Sequence, residues 1–227
     1  MVVPVGLALL VGCSSAPPPA PKAAPPPPKP EAIDPGPTSM ESDVGGMNEE
    51  AVEAAFTSLQ RPLQDCLEQG FSRVNELGGH LKLAIRVDKR GETRWAYLSE
   101  STLGDRETEK CVLDVARNKT WPKPVGGEGL AQKTFDLDPR VEPVPWQEHK
   151  IRGALKHAAN DVARCRRGIE GRFTATAYVR PDGHVLSAGV SPPSEKGEEA
   201  SDCLVDAIRR LKFGSPGGKP AKVTFSL

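Results

Sequence analysis

The chain has few aromatic residues and no net charge. Phe, Trp and Tyr make up 5% of its 227 residues, and 30 basic side chains balance 30 acidic ones. Proteins that bind nucleic acid need a positive surface that displaces counterions from phosphates, so this neutrality argues against that class. Because aromatic side chains are scarce, no part of the chain is expected to build a large hydrophobic core.

The sequence also lacks the patterns that metal sites and catalytic sites require. None of its five cysteines has a partner at the close spacing of structural zinc ligands or of a redox C-x-x-C pair. Ser99 and Ser191 recur between the two halves of the chain, but no histidine recurs to act as their base. The four histidines are His80, His149, His157 and His184. We therefore expect a protein that is not an enzyme and has no metal, no cofactor and no small-molecule substrate.

The apolar run near the N-terminus is short. Residues 2–11 are too few to cross a bilayer, which takes roughly 20 apolar residues, but they suit the core of a signal peptide. The run ends at Leu10-Val11-Gly12-Cys13, which resembles the lipobox of bacterial lipoproteins. Residues 1–12 are thus predicted to be a signal peptide and Cys13 the lipidated residue. Because Ser14 is no inner-membrane retention signal, we expect outer-membrane anchoring, with the inner membrane as the alternative.

A proline-rich segment follows the predicted lipidation site. Roughly every second residue between positions 16 and 37 is proline, mixed with alanine and lysine. Such a composition cannot bury a core and favours an extended polyproline II chain. Residues 13–46 are therefore predicted to form a disordered tether that places the rest of the chain in the periplasm.

The remaining sequence contains an internal duplication. Matching residues recur 92 positions apart, without a gap, over more than forty residues. The pairs are Gly79 and Gly171, Val87 and Val179, Gly91 and Gly183, Cys111 and Cys203, Asp114 and Asp206, Arg117 and Arg209, and Trp121 and Phe213. A repeat of this kind predicts two copies of one structural unit. We assign residues 47–138 to a first domain, 139–145 to a linker and 146–227 to a second domain.

Each copy shows the same succession of periodicities. Apolar residues spaced by three or four predict a first helix, which Asn48 caps in the first copy. There Pro62 is expected to kink this helix or to mark a restart. Two alternating segments then predict a hairpin, and a second helix and a last strand follow. The predicted fold is α+β, a tandem repeat of helix–strand–strand–helix–strand domains, each with a three-stranded antiparallel sheet.

Four cysteines divide evenly between the copies. Pairing Cys66 with Cys111, and Cys165 with Cys203, would join the two helices of each copy. Small domains in an oxidising compartment commonly depend on such disulfides. Unpaired buried thiols remain the alternative interpretation.

Residues 169–213 carry a glycine, an alternating strand, an Asp-Gly turn and a helix that ends in basic residues and an aromatic. This pattern resembles the C-terminal domain of TonB-type energy transducers. The helix before the sheet and the cysteine in each helix make it more similar to the AgmX/PglI C-terminal domain of gliding-motility proteins. The Tyr-Pro motif at the entry of TonB domains is absent. The resemblance implies a module that contacts other proteins of the cell envelope.

The final strand is the candidate contact site. TonB-type domains resemble modules that add an extended partner peptide to a sheet edge, so the resemblance implies peptide pairing along Lys222, Val223, Thr224 and Phe225. Lysines near this strand, among them Lys219, would equally suit a protected edge that pairs with nothing.

The expected function is that of a non-enzymatic, lipid-anchored periplasmic scaffold in an envelope complex, with gliding motility or transport as the candidate processes. One alternative is a TonB-like accessory that binds receptor peptides by strand addition. Another is a cell-wall-binding lipoprotein that uses a basic helix face. That face comprises Arg152, Lys156, Arg164, Arg166 and Arg167.

Overall fold

The computed structural model describes residues 46–227. The predicted signal peptide, Cys13 and residues 13–45 of the predicted tether lie outside the described residues. Among residues 46–227, no helix is long and apolar enough to cross a membrane. The described residues belong to one compact unit in which helices pack on two β-sheets, so the predicted α+β class is confirmed.

The same order of elements occurs twice along the chain. The first half contains α1 (Glu49–Thr57), α2 (Gln60–Phe71), β1 (Gly79–Val87), β2 (Thr93–Ser101), α3 (Arg106–Arg117) and β3 (Gly129–Leu137). The second half contains β4 (Val144–Pro145), α4 (Arg152–Cys165), β5 (Thr174–Val179), β6 (Val185–Ser191), α5 (Glu198–Arg209) and β7 (Ala221–Ser226). Apart from β4, each half thus has a helical region, a hairpin, a helix and a final strand.

The first helix begins where the sequence predicts. Oδ1 of Asn48 accepts a hydrogen bond of 2.8 Å from the N–H of Ala51, which caps the first turn. The chain leaves this helix after Thr57 and starts α2 at Gln60. Pro62 lies in the first turn of α2, where an N–H would have no partner within the helix. Of the two outcomes expected at this proline, the structure shows the restart, since a new helix begins two residues before it.

One glycine in each hairpin, repeated between the halves, holds the hairpin against the end of the helix that follows it. Gly91 and Gly183 have φ angles of +89° and +85°, a region that favours glycine. Their carbonyls accept hydrogen bonds of 2.9 and 2.8 Å from the N–H groups of Trp121 and Phe213. A Cβ on either glycine would lie only 2.4 or 2.3 Å from the carbonyl oxygen of that aromatic residue. The repeated glycine and aromatic positions are thus explained by one turn geometry.

The two sheets differ, and the second departs from the prediction. The first is three-stranded and antiparallel in the order β2-β1-β3, as expected, but the second is four-stranded and mixed, in the order β4-β7-β5-β6. Val144 and Pro145, which we predicted to be part of a linker, pair in parallel with Ala221 and Lys222 of β7. Proline favours an extended backbone and so suits this segment to an edge strand.

Two hydrophobic clusters form the core. One lies between α1, α2, α3 and the first sheet, and the other between α4, α5 and the second sheet. The fully buried Tyr178 of β5 belongs to the cluster of the first half, although it comes from the second. Its hydroxyl is 3.2 Å from the backbone nitrogen of Gly78 and 3.3 Å from the carbonyl oxygen of the same residue. The two halves therefore share part of their interior.

Both predicted disulfides are present. Cys66 joins α2 to Cys111 of α3 with a Cα–Cα distance of 5.7 Å, and Cys165 joins α4 to Cys203 of α5 at 5.5 Å. Both distances suit a disulfide. The two bridges differ in burial, because Cys66 is buried in the core whereas Cys203 is exposed.

Candidate interaction site

The two halves meet in a contact that we call the joint. It is formed by residues 101–110 and Gly78 of the first half and by β5, β6, β7 and the first turns of α5 in the second. Equivalent positions of the repeat face each other across it. Arg106 forms an ion pair of 2.7 Å with Glu198, and Lys110 forms one of 2.7 Å with Asp202. Each pair joins residues that the duplication places 92 positions apart.

Asp105 occupies the centre of the joint and is fully buried. It caps α3 by accepting hydrogen bonds from the N–H and hydroxyl of Thr108. Arg73 donates to Oδ2 at 2.5 Å, and the Ser187 hydroxyl of β6 donates to Oδ1 at 2.6 Å. Burial opposes ionisation, but the hydrogen bonds from Arg73, Ser187 and Thr108 outweigh it and hold the pKa of Asp105 below its usual value.

Glu109 lies one turn further along α3 and is also fully buried. Its Oε1 accepts a hydrogen bond of 2.8 Å from the Ser101 hydroxyl, and its Oε2 accepts one of 3.3 Å from the N–H of Val190 in β6. Burial raises the pKa of Glu109 to about 7. This carboxyl group therefore changes charge close to neutral pH.

Lys222, one of the predicted contact residues, points its side chain into the joint. Its ammonium group donates to the carbonyl oxygen of Gly78 at 2.5 Å and lies 5.5 Å from the ring centre of Tyr178. Burial lowers the pKa of Lys222 to about 8. The backbone carbonyl of Lys222 accepts a hydrogen bond of 2.8 Å from Trp146, next to β4. The sheet edge at Lys222 is thus covered by the chain itself, so the predicted peptide pairing does not extend to this residue.

The rest of β7 forms an open edge. The N–H of Leu227 donates to the carbonyl of Phe173, next to β5, so the backbone of Leu227 faces β5. Backbone groups of successive residues in a strand point to opposite sides, so those of the preceding residue face away from β5. Val223 and Phe225 have buried side chains in the core. Thr224 and Ser226 are exposed, and their backbone groups face away from β5 beyond the end of β4. We define the open edge as Thr224 and Ser226.

An apolar groove lies beside this edge. It has a volume of about 410 Å³ and runs between α4 and the end of β7. Its lining residues are Leu155, Ala159, Val162, Ala163, Arg166, Ser226 and Leu227. Arg166 lies at one side, where it donates to the carbonyl of Leu227 at 2.9 Å and stacks 5.3 Å from the ring centre of Phe173. Backbone groups and an apolar recess are thus found next to each other.

The predicted basic face of α4 is divided between paired and exposed side chains. Arg164 forms an ion pair with Asp161, and Arg166 is engaged by the backbone. Arg152, Lys156 and Arg167 are exposed. No three His, Cys, Asp or Glu side chains among residues 46–227 are grouped as a metal site.

Sequence reasoning missed the polar residues of the joint, and the duplication explains why. At the 92-residue offset, Asp105 corresponds to Gly197 and Glu109 corresponds to Ser201. A search for features shared by the two copies therefore passes over both acids. An acidic residue one position before the helix was the available signal for the Asp105 cap. Nothing in the sequence marks Glu109 as buried.

No protein-family model, no curated protein and no solved structure matches this chain. The open edge and the groove are the features of this chain that bear on its function.

Proposed function

We propose that this protein is a non-enzymatic scaffold of the bacterial cell envelope, anchored by a lipid on Cys13 and facing the periplasm. In this proposal residues 47–138 and 146–227 are two TonB/AgmX-like modules, and partner proteins dock on the second. The observation that carries the proposal is the open edge of β7 beside the groove on α4. The proposed membrane is the outer one.

An extended peptide suits this place for two reasons. The outward backbone groups of Thr224 and Ser226 can pair with a peptide backbone, and the groove can receive one of its apolar side chains. The walls of the groove are also held in place before binding. The Cys165–Cys203 bridge fixes α4 to α5, and a preformed site loses less conformational entropy when it binds.

The proposed location fits the cysteine chemistry. Structural disulfides persist in the periplasm and are rare in the cytosol. A lipid on Cys13 and an extended tether would hold the scaffold near the membrane while leaving its open edge accessible.

A second candidate is binding to the cell wall. It is favoured by the exposed cations Arg152, Lys156 and Arg167 on α4 and in the turn after it. Binding of this kind is electrostatic and depends on salt. The protein should then pellet with purified peptidoglycan at low salt, independently of the groove.

Site-specific photo-crosslinking of the full-length protein in its own cells tests the scaffold proposal. A photoreactive residue at Ser226 should yield a protein adduct of discrete mass, whereas one at the exposed Thr120 should not. Ala159→Lys should weaken the Ser226 adduct several-fold, because the longer side chain enters the groove. Asn160→Lys, on the next residue of α4, is the matched control and should leave the adduct unchanged. Equal adducts from both labelled positions, or no effect of Ala159→Lys, would contradict a docking site at this edge.

A further inference from the structure

The joint contains a buried acid that has no cation of its own. Glu109 is fully buried between α3 and β6, and both of its carboxylate oxygens contact hydrogen-bond donors, the Ser101 hydroxyl and the Val190 N–H. Among residues 46–227, none of the observed ion pairs includes Glu109. A buried carboxylate that is hydrogen-bonded but not neutralised is costly compared with its protonated form.

The charged groups around Glu109 are committed elsewhere. On its own helix, Arg106 forms bonds of 2.7 Å to both Glu198 and Asp202 of α5. The guanidinium of Arg73, from the end of α2, is bonded to Asp105. Burial is the largest influence on Glu109 and opposes its ionisation; the charge of Arg106 favours ionisation, and the charge of Glu198 opposes it more weakly. No element of the joint thus supplies a spare cation.

The Glu109 carboxyl is also closely covered on the side of β6. Gly189 of β6 lies directly against the Glu109 carboxyl, and a Cβ on this glycine would be 2.2 Å from Oε1 and 2.6 Å from Cδ. A water oxygen that is hydrogen-bonded to a carboxylate lies about 2.5–3.0 Å from it, so a water molecule could not take this place unless α3 and β6 moved apart. Hydrating the ionised carboxylate therefore requires the two halves to separate locally.

The neutral form fits the same contacts without movement. The Ser101 oxygen already accepts the N–H of Leu103 at 3.1 Å, and a serine hydroxyl oxygen can accept a second hydrogen bond. A protonated Glu109 can donate its O–H to Ser101 while its other oxygen keeps the bond from Val190. The neutral carboxyl group is thus satisfied within the closed joint.

We propose that Glu109 makes the joint between the two halves respond to proton concentration. The neutral carboxyl keeps α3 seated on β6, and its ionisation loosens that contact. The midpoint falls near neutrality because burial raises the pKa of Glu109 to about 7. This inference concerns the mutual fixation of the halves and does not depend on the proposed scaffold function.

The sign of the pH effect follows from linkage. Between the usual pKa of 4.5 and the value of about 7 in the fold, the folded state binds more protons than the unfolded state. Stability therefore falls as pH rises through this interval and then levels off. A shift of this size corresponds to an increase of about 300-fold in the unfolding equilibrium constant. The other shifted groups of the joint act outside the interval, since the pKa of Asp105 is lowered and that of Lys222 is about 8.

Glu109→Gln tests the proposal, because the amide reproduces the neutral carboxyl and its two hydrogen bonds. Urea unfolding of the unmutated protein should show an unfolding constant that rises by one to two orders of magnitude between pH 5 and pH 8. This rise should be lost in Glu109→Gln. Asp114→Asn, an exposed position on the same helix, is the matched control and should keep it. Hydrogen exchange of the Val190 amide, corrected for its intrinsic pH dependence, should accelerate at pH 8 only when Glu109 is present.

A second measurement on the unmutated protein does not depend on how the variants fold. Carbon-13 NMR of labelled glutamate side chains should show one carboxyl group that titrates near pH 7, and this signal should be absent in Glu109→Gln. A Glu109 midpoint at or below pH 5 would overturn the proposal. The same conclusion would follow if the unmutated protein and Glu109→Gln showed the same dependence of stability on pH.

Discussion

Replacing Asp105 by alanine is expected to lower the free energy of unfolding by about 2–5 kcal/mol, because it removes a helix cap, worth about 1 kcal/mol, and leaves the buried Ser187 hydroxyl without its acceptor, at about 1–3 kcal/mol. The substitution leaves the Arg73 guanidinium without its carboxylate and removes the bond from the Ser187 hydroxyl across the joint. It also removes the cap of α3 at Thr108. Urea denaturation of the variant at pH 7 measures the loss.

Glu107→Ala is a suitable comparison, since Glu107 is on the same helix and forms a more exposed ion pair with Arg209. Pairs of that kind contribute about 0–1 kcal/mol.

The stabilisation by Asp105 should also depend on pH in a defined direction. Because the pKa of Asp105 is lowered, its contribution is complete above the usual value of 3.8 and is lost as pH falls through the folded value. If Asp105→Ala were as stable as Glu107→Ala, Asp105 would not be central to the joint.

Removing the Cys66–Cys111 bridge by a double alanine substitution should cost about 4 kcal/mol from chain entropy alone. The bridge spans 45 residues, and the loss of the buried Cys66 side chain leaves a void in the core that adds to the cost. The measurement is the free energy of unfolding of the oxidised protein and of the double variant under the same conditions.

The second bridge provides the matched comparison. Cys165 and Cys203 are 38 residues apart, so the chain-entropy contribution is again about 4 kcal/mol. Cys203 is exposed, however, and Cys165 is only partly buried, so their replacement leaves a smaller void than the loss of Cys66 does. The second double variant should therefore be the less destabilised of the two. A larger loss at the second bridge would mean that α4 depends on its disulfide more than its packing indicates.

The local structure of the chain could be predicted from the sequence because the determining signals are themselves local. The Asn48 cap, the Gly91 and Gly183 turns and the alternating strands each depend on neighbouring residues. The duplication repeated the glycine turns, the alternating strands and the cysteines, which also allowed the cysteines to be paired correctly.

The arrangement of the halves could not be predicted, because it depends on contacts between residues far apart in sequence. Ser187 and Asp105 are 82 residues apart, and neither has a local pattern that specifies the other. The same holds for β4, which lies in the segment that the prolines at 139, 143 and 145 predict to be a linker. Its pairing with β7 changed the candidate site as well. It covers the edge at Lys222 and leaves Thr224 and Ser226 open.

Native-state hydrogen exchange tests most directly whether the two halves act as one rigid scaffold. The amides of Ile85 in β1 and Ala177 in β5 occupy equivalent positions in the central strands of the two sheets. If the joint couples the halves, both amides should exchange through one global unfolding step at pH 6, with the same free energy and the same dependence on denaturant. If one of them exchanged through a separate unfolding of its own half at clearly lower free energy, the two repeats would be independent domains and the account would be wrong.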